Sequence, residues 1–400
     1  MRPIQLMVLA GEPSGDALGA ELVSAIKRQV VGQVHPHCFG LGGPRLKEAG
    51  VELLEDMTRH TVFGLVEALR RYPIFKRLLQ RALKAAQTRR PDIILLIDFG
   101  GFNLRFAKAL RKALNNESGP FHNWHPKIIY YVPPQVWASR EGRARTLSET
   151  VDQVISIFPF ERDWYEARFP QLPVTFVGDP MASCFPNPLQ VNPRVPLPDP
   201  ERELRIAILP GSRQQEVDRH LPLMLQALEK IQMHRAARAT VVTPTLELVK
   251  AHQSLGSDRV HWQVGELHAV LRKADLAIAS SGTVTRECAY LRIPTVVIYK
   301  LSWLTYQIAR RIVKVRYIAM PNLLADQMLF PELIQEAAPP TAIAQEALQL
   351  CQPEARGTFE KALERVVLSL GPPGAAQRAA QVIVKQAPAP PQTPLRLSSD

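Results

Sequence analysis

Cysteine is scarce in this 400-residue chain: Cys38, Cys184, Cys288 and Cys351 lie far apart and form no C-x-x-C pair. That spacing offers neither a disulfide framework nor a thiolate zinc site, and it suits a reducing compartment. The ten histidines form no H-x-x-x-H pair, and His35, His37 and Cys38 lack a second ligand cluster, so no metal site is expected. A Walker A sequence is missing, which argues against P-loop NTPase chemistry. No two aspartates are spaced as D-x-D, which argues against a metal-bridged diphosphate. No apolar run approaches the ~18 residues that span a bilayer. The apolar segment Gln5 to Ala10 runs straight into Gly11-Glu12-Pro13-Ser14. It is too short for a signal peptide and reads as a first β-strand. A soluble or peripheral protein on the cytoplasmic side is the expectation.

Positive charge, by contrast, is abundant. A formal net charge of +12 points to an anionic partner: nucleic acid, an anionic membrane face or phosphorylated substrates. No RNP, KH or zinc-knuckle signature supports nucleic acid. From Ala68 to Arg90 there are eight Lys or Arg and no acid, among them Arg70, Arg71, Lys76 and Arg77, interleaved with Leu69, Tyr72, Ile74, Phe75, Leu78 and Leu79. From Leu301 to Tyr317, Trp303, Leu304 and Tyr306 accompany Arg310, Arg311, Lys314 and Arg316. Cationic and aromatic residues on one surface suit an interfacial membrane contact, and a solvated basic face is the alternative.

Residues 1–185 alternate apolar strand-like runs (Gln5 to Ala10, Ile93 to Ile97, Lys127 to Val132, Gln153 to Ile157, Val174 to Val177) with helical spacing, as at Leu18, Leu22, Ala25 and Ile26. This predicts a mostly parallel sheet covered by helices. Six prolines in residues 186–200 mark an extended linker. The pattern restarts over 201–350, with strands at Arg205 to Leu209, Thr240 to Val242, Leu276 to Ala279 and Thr295 to Tyr299. Residues 351–386 read as C-terminal helices, and 387–400 as a disordered tail. The prediction is an α/β protein of two Rossmann-like domains, with ligands in a cleft outside the carboxyl ends of the strands.

Three strand–loop–helix junctions could carry chemistry. Gly11-Glu12-Pro13-Ser14-Gly15-Asp16 places Ser14, Gly15 and Asp16 at a helix entry, as an anion or sugar site or as a capped turn. Gly211, Ser212 and Arg213 precede a second helix, and Ser281, Gly282 and Thr283 a third. Free N–H groups, the positive helix end and a guanidinium together favour a nucleotide diphosphate. Glu287, one turn into the third helix, could take the hydroxyls of a ribose or stand as an exposed acid. In Ile97-Asp98-Phe99-Gly100-Gly101-Phe102-Asn103, Asp98 is a candidate general base or a helix cap.

These motifs, with Gly40-Leu41-Gly42-Gly43-Pro44-Arg45, Phe63-Gly64-Leu65-Val66-Glu67, Tyr131-Val132-Pro133-Pro134-Gln135-Val136-Trp137-Ala138, Phe158-Pro159-Phe160-Glu161, Leu304-Thr305-Tyr306, Pro321-Asn322-Leu323-Leu324-Ala325 and Pro331-Glu332-Leu333-Ile334-Gln335, resemble lipid-A-disaccharide synthases in order from Leu6 to about Gln335. The resemblance implies a GT-B fold whose C-terminal helices pack back toward the first domain. It implies an inverting, metal-independent transfer without a cofactor, from UDP-diacylglucosamine to an acylated monosaccharide phosphate at the anionic inner membrane surface. Asn322 and Gln335 join Gly211, Ser212, Arg213, Ser281, Gly282, Thr283 and Glu287 on the UDP side, and Asn103 joins Ser14, Gly15 and Asp16 on the acceptor side. A homodimer stays open, and no nucleic acid is expected.

Two positions depart from the pattern. The family's Ile-Asp-x-Pro-Asp-Phe-Asn has Gly101 in place of its second aspartate, and its Gly-His-Pro is Gly178-Asp179-Pro180 here. Asp98, Asp179 and Glu12 are therefore the catalytic candidates. The alternative is a UDP-sugar-binding homologue that lacks this activity or uses another acceptor.

Overall fold

The computed structural model describes residues 3–30, 36–60, 72–116, 123–139, 141–185 and 202–387. The expected linker, Arg70, Arg71 and the motif from Phe63 to Glu67 lie outside these residues. The chain divides into two compact units, Met1–Pro180 with Gly374–Asp400, and Met181–Pro373.

The first unit carries strands β1 (Gln5–Ala10), β2 (His37–Gly42), β3 (Glu52–Asp56), β4 (Ile93–Ile97), β5 (Lys127–Tyr131), β6 (Gln153–Ser156) and β7 (Val174–Phe176). They lie in the order β3-β2-β1-β4-β5-β6-β7, all parallel. Ile93 to Ile97 are buried throughout, as a strand covered on both faces requires. Met7, Leu9, Ile94, Leu96, Ile128 and Tyr130 meet Leu78, Ala82, Phe106 and Leu110 of the Tyr72–Arg89 and Gly100–Asn116 helices. Phe75, Leu78 and Leu79 thus belong to the core, which corrects the expectation that they share a membrane-facing surface with Lys76 and Arg77.

The Pro13–Gln29 helix packs against the C-terminal helix Ala375–Val384. Arg378 Nε donates to the Val177 carbonyl at 2.7 Å and ties that helix to the end of β7. The preceding helix, Pro353–Ser369, belongs to the second unit, so of these two helices only the last joins the first.

The second unit carries β8 (Leu204–Leu209), β9 (Ala237–Thr243), β10 (Val260–Val264), β11 (Leu276–Ser280), β12 (Thr295–Tyr299) and β13 (Glu332–Ile334), parallel and in the order β10-β9-β8-β11-β12-β13. The Gln214–Gln232 and Pro340–Gln349 helices cover one face, where Val217, Leu221, Ile343 and Ala347 meet Ile206, Ile208 and Ile278. Strand order reverses beside β1 in one sheet and beside β8 in the other. Those are the switch points where open parallel sheets bind ligands.

One glycine has a sharp steric reason. A Cβ on Gly40 of β2 would lie 1.9 Å from the Val8 carbonyl oxygen of β1. Gly40→Ala should therefore cost about 3 kcal/mol or more, the upper end for point substitutions, seen as a lowered midpoint in urea denaturation.

Candidate active site

Register brings the loops of the first unit together. Ala10 at the end of β1 pairs with Ile97 at the end of β4, so Gly11–Glu12 and Asp98–Phe99 emerge side by side. Glu12 caps the Pro13–Gln29 helix through its backbone, its carbonyl taking the Asp16 N–H at 2.8 Å. Ser14 is exposed. A Cβ on buried Gly15 would lie 3.7 Å from Asp98 Cβ, which places that side chain against the first helical turn.

Asp98 and Phe99 both adopt left-handed backbone, with φ of 48° and 47°. For residues other than glycine this costs about 1 kcal/mol or more each and marks a loop held by its surroundings. Asn103 is what holds it. Its Nδ2 donates to the carbonyls of Asp98 (2.9 Å), Ile97 (3.2 Å) and Leu9 (3.3 Å), and Tyr130 Oη donates to the Asp98 carbonyl at 2.6 Å. Fully buried Asn103 thus turns its amide nitrogen to the main chain.

Inside the following helix, the N–H groups of Phe102 and Asn103 turn to the Phe99 carbonyl. Burial raises the pKa of the Asp98 carboxyl, against the N–H of Phe99, which favours the charge. A partly buried carboxylate of raised basicity suits proton abstraction. Gly101 is exposed, and an added Cβ would meet nothing within 4 Å.

Asp16 is also spent. Its carboxylate accepts from the N–H groups of Gly43 (2.7 Å), Arg45 (3.0 Å) and Leu46 (3.1 Å), capping the short Pro44–Glu48 helix. Asp179, 1% exposed, follows β7 and belongs to another group of side chains. Its charge acts on Tyr131, whose hydroxyl pKa is raised by burial first, then by Glu21 and Asp179, against Arg378.

A buried carboxylate missed by sequence reasoning joins the loops after β5 and β6. Glu161 accepts from Trp137 Nε1 at 3.0 Å and from the Phe158 N–H at 3.4 Å. Pro134, three residues before Trp137, fills the space beside Gly100, where a Cβ would lie 2.6 Å from its Cβ.

In the second unit Leu209 of β8 pairs with Ala279 of β11, so Pro210–Arg213 and Ser281–Thr283 emerge side by side. Gly211 has φ of 122°. The Glu216 carboxylate lies in this turn, taking the Ser212 N–H at 3.2 Å and standing 3.3 Å from an Arg213 guanidinium nitrogen. His220, also missed, fixes the turn from below. Its Nδ1–H donates to the Pro210 carbonyl at 2.9 Å, while Nε2 accepts the Lys300 N–H at 3.0 Å. Burial lowers its pKa and favours the neutral ring that these two bonds require.

Gly282 caps the Thr283–Tyr290 helix and is exposed, as is Thr283. Ser281 Oγ donates to the Ile318 carbonyl at 3.2 Å. Glu287, expected as a free carboxylate, is instead held by His268 Nε2 at 2.7 Å.

Asn322 and Gln335 do not face this junction freely. Asn322 accepts from the N–H groups of Leu329 and Phe330 and donates to the Phe330 carbonyl and to Glu332, within 2.8 Å in each case. Gln335 takes the Leu301 N–H at 2.7 Å. Both side chains brace loops. Among the described residues no three His, Cys, Asp or Glu gather as a metal site.

Two doubly wound sheets with polar loops at both switch points can now be set beside known proteins. The sequence profile of the lipid-A-disaccharide synthetase family matches residues 6–386. The chain belongs to the lipid-A-disaccharide synthase family. The lipid-A-disaccharide synthase of Anaeromyxobacter dehalogenans (strain 2CP-C) is 37% identical over 386 residues, covering 95% of this chain and 97% of the relative. That of Myxococcus xanthus (strain DK1622) is 35% identical over 393 residues, 96% and 98% of the two chains. Among solved structures, the calicheamicin glycosyltransferase CalG4 superposes with a TM-score of 0.57 at 15% identity, over 96% of this chain and 98% of that one. The fold is therefore that of the GT-B glycosyltransferases, and membership makes the chain a hexosyltransferase of lipid A biosynthesis.

The Glu161 carboxyl yields a pH prediction for this family member. Burial pushes its pKa from about 4.5 up to about 7, against its hydrogen bonds. Between those values the folded chain keeps a proton that the unfolded chain releases, so stability falls as pH rises through the window. Glu161→Gln should remove that slope, measured as urea-denaturation stability against pH for both proteins.

Proposed function

We propose that this chain condenses UDP-2,3-diacylglucosamine with 2,3-diacylglucosamine 1-phosphate, giving lipid A disaccharide 1-phosphate and UDP. Family membership over residues 6–386 supports the reaction, and the placement of Asp98 is the observation that carries the site. Asp98 takes the proton of the acceptor hydroxyl, which attacks the anomeric carbon in line and inverts it. The first helical turn at Ser14 and Gly15, with Gly15 beside Asp98, serves the acceptor.

The departing diphosphate is met by the exposed helix entry and dipole at Gly282–Thr283 and by the Arg213 guanidinium, which turns from Glu216 to the phosphate, and Glu287 takes the ribose hydroxyls. These groups supply charge stabilisation without a metal or cofactor. Glu12, at the same helix entry as Gly15, is the reserve base.

The enzyme works at the anionic inner face of the cytoplasmic membrane. No described helix is long and apolar enough to cross a membrane. The Trp303–Ile312 helix supports a peripheral contact: Trp303 is 73% exposed, Ile308 and Ile312 are also open, and Arg310 and Arg311 flank them. Exposed Lys76 and Arg77 add cationic surface in the first unit.

A second reading, UDP-sugar binding without this turnover, is favoured by Gly101, which presents no carboxylate where the family has one. Acceptor-dependent UDP release separates the two readings. The wild type should turn over, and Asp98→Ala should lose about 10²- to 10⁴-fold. Clear UDP binding with no turnover would select the second reading. Gly101→Asp fits the open space and should change turnover by less than about threefold if Asp98 suffices; a gain beyond about tenfold would make the missing carboxylate the limiting group.

A further inference from the structure

His268 lies in the Leu267–Lys273 helix and carries none of the family motifs quoted above. Its Nε2 stands 2.7 Å from Glu287 Oε2. One side of the imidazole rests on Phe185, with ring centroids 4.8 Å apart, and Phe185 stacks in turn on Tyr290 at 4.8 Å and an interplanar angle of 6°. Phe185 and Tyr290 are both buried, so the imidazole, itself 39% exposed, leans on a fixed aromatic pair. Glu287 follows Thr283 by four residues, which places its carboxylate on the same helix flank, one turn below the exposed Gly282–Thr283 entry.

We infer that His268 is a positioning residue for the nucleotide ribose: its imidazole holds one oxygen of Glu287 so that the carboxylate stays oriented to receive the ribose hydroxyls. This rests on the ribose role proposed for Glu287. An ionised carboxylate offers about four acceptor directions, and one hydrogen bond from His268 leaves room for two hydroxyls. Burial favours the protonated form of Glu287, whereas the hydrogen bond and charge of His268 favour the ionised form. Without the imidazole the carboxyl would both turn more freely and hold its proton more readily.

A merely structural His–Glu pair would change overall affinity or stability but not the recognition of hydroxyls. The test is therefore equilibrium binding of UDP and of 2′,3′-dideoxy-UDP to the full chain, for wild type, His268→Ala, His268→Gln and Glu287→Gln. The wild type should prefer UDP by about tenfold or more, the worth of a hydrogen bond to a charged group. His268→Ala should shrink that preference to about threefold or less, with dideoxy-UDP bound as before, and His268→Gln, which keeps an N–H donor, should restore most of it. Full discrimination by His268→Ala would overturn the inference. A wild type that binds both ligands equally would instead remove the ribose role of Glu287, and no binding of either would remove the nucleotide site itself.

Discussion

Three main-chain carbonyls, of Leu9, Ile97 and Asp98, converge on the amide nitrogen of Asn103. They come from the ends of β1 and β4, the adjacent strands at which the order of the first sheet reverses. One side chain therefore ties the two strand ends together beneath two consecutive left-handed residues. Tyr130 adds a second donor to the Asp98 carbonyl from the neighbouring strand β5. The direction of the Asp98 carboxyl, and so any base chemistry at this loop, depends on this clamp. Losing the Asn103 nitrogen is costly, because the buried carbonyls it serves would be left without that donor.

The second sheet solves the same problem with different chemistry. His220 bridges the Pro210 carbonyl and the Lys300 N–H, joining the ends of β8 and β12 with one donor and one acceptor. Only a neutral imidazole can do both at once. Burial supplies that condition, and the loop above it, Gly211 to Arg213, is built around the Glu216 carboxylate. In each unit a buried polar side chain from the following helix fixes the loop from beneath.

Several motif residues turn out to serve such internal bracing. Asp16 caps a helix that starts 28 residues later, Asn322 closes a turn with four hydrogen bonds, and Gln335 pairs with the Leu301 backbone. A polar residue in a loop motif can bind a ligand or its own backbone, and spacing alone does not distinguish the two. Glu287 was legible as a carboxylate one turn into its helix, but its partner His268 lies 19 residues earlier. Glu161 was legible only as part of a motif, since its partner Trp137 comes from the loop after another strand.

Apolar periodicity by itself determined the two parallel sheets, because a strand covered on both faces must be apolar at nearly every position, as Ile93 to Ile97 are. It missed β2, β3, β10 and β13, which contain glycine, acids or polar residues, or are only three residues long, and so lack that run. It also marked the loops at both switch points, since Gly, Pro, Ser and Asp after an apolar strand report a turn into a helix. Only the tertiary structure decided which polar side chains in those loops are already spent. That depends on residues brought together by strand register and helix packing, such as Asn103 on Leu9 and Asp16 on Gly43, across distances in the chain that no local pattern records.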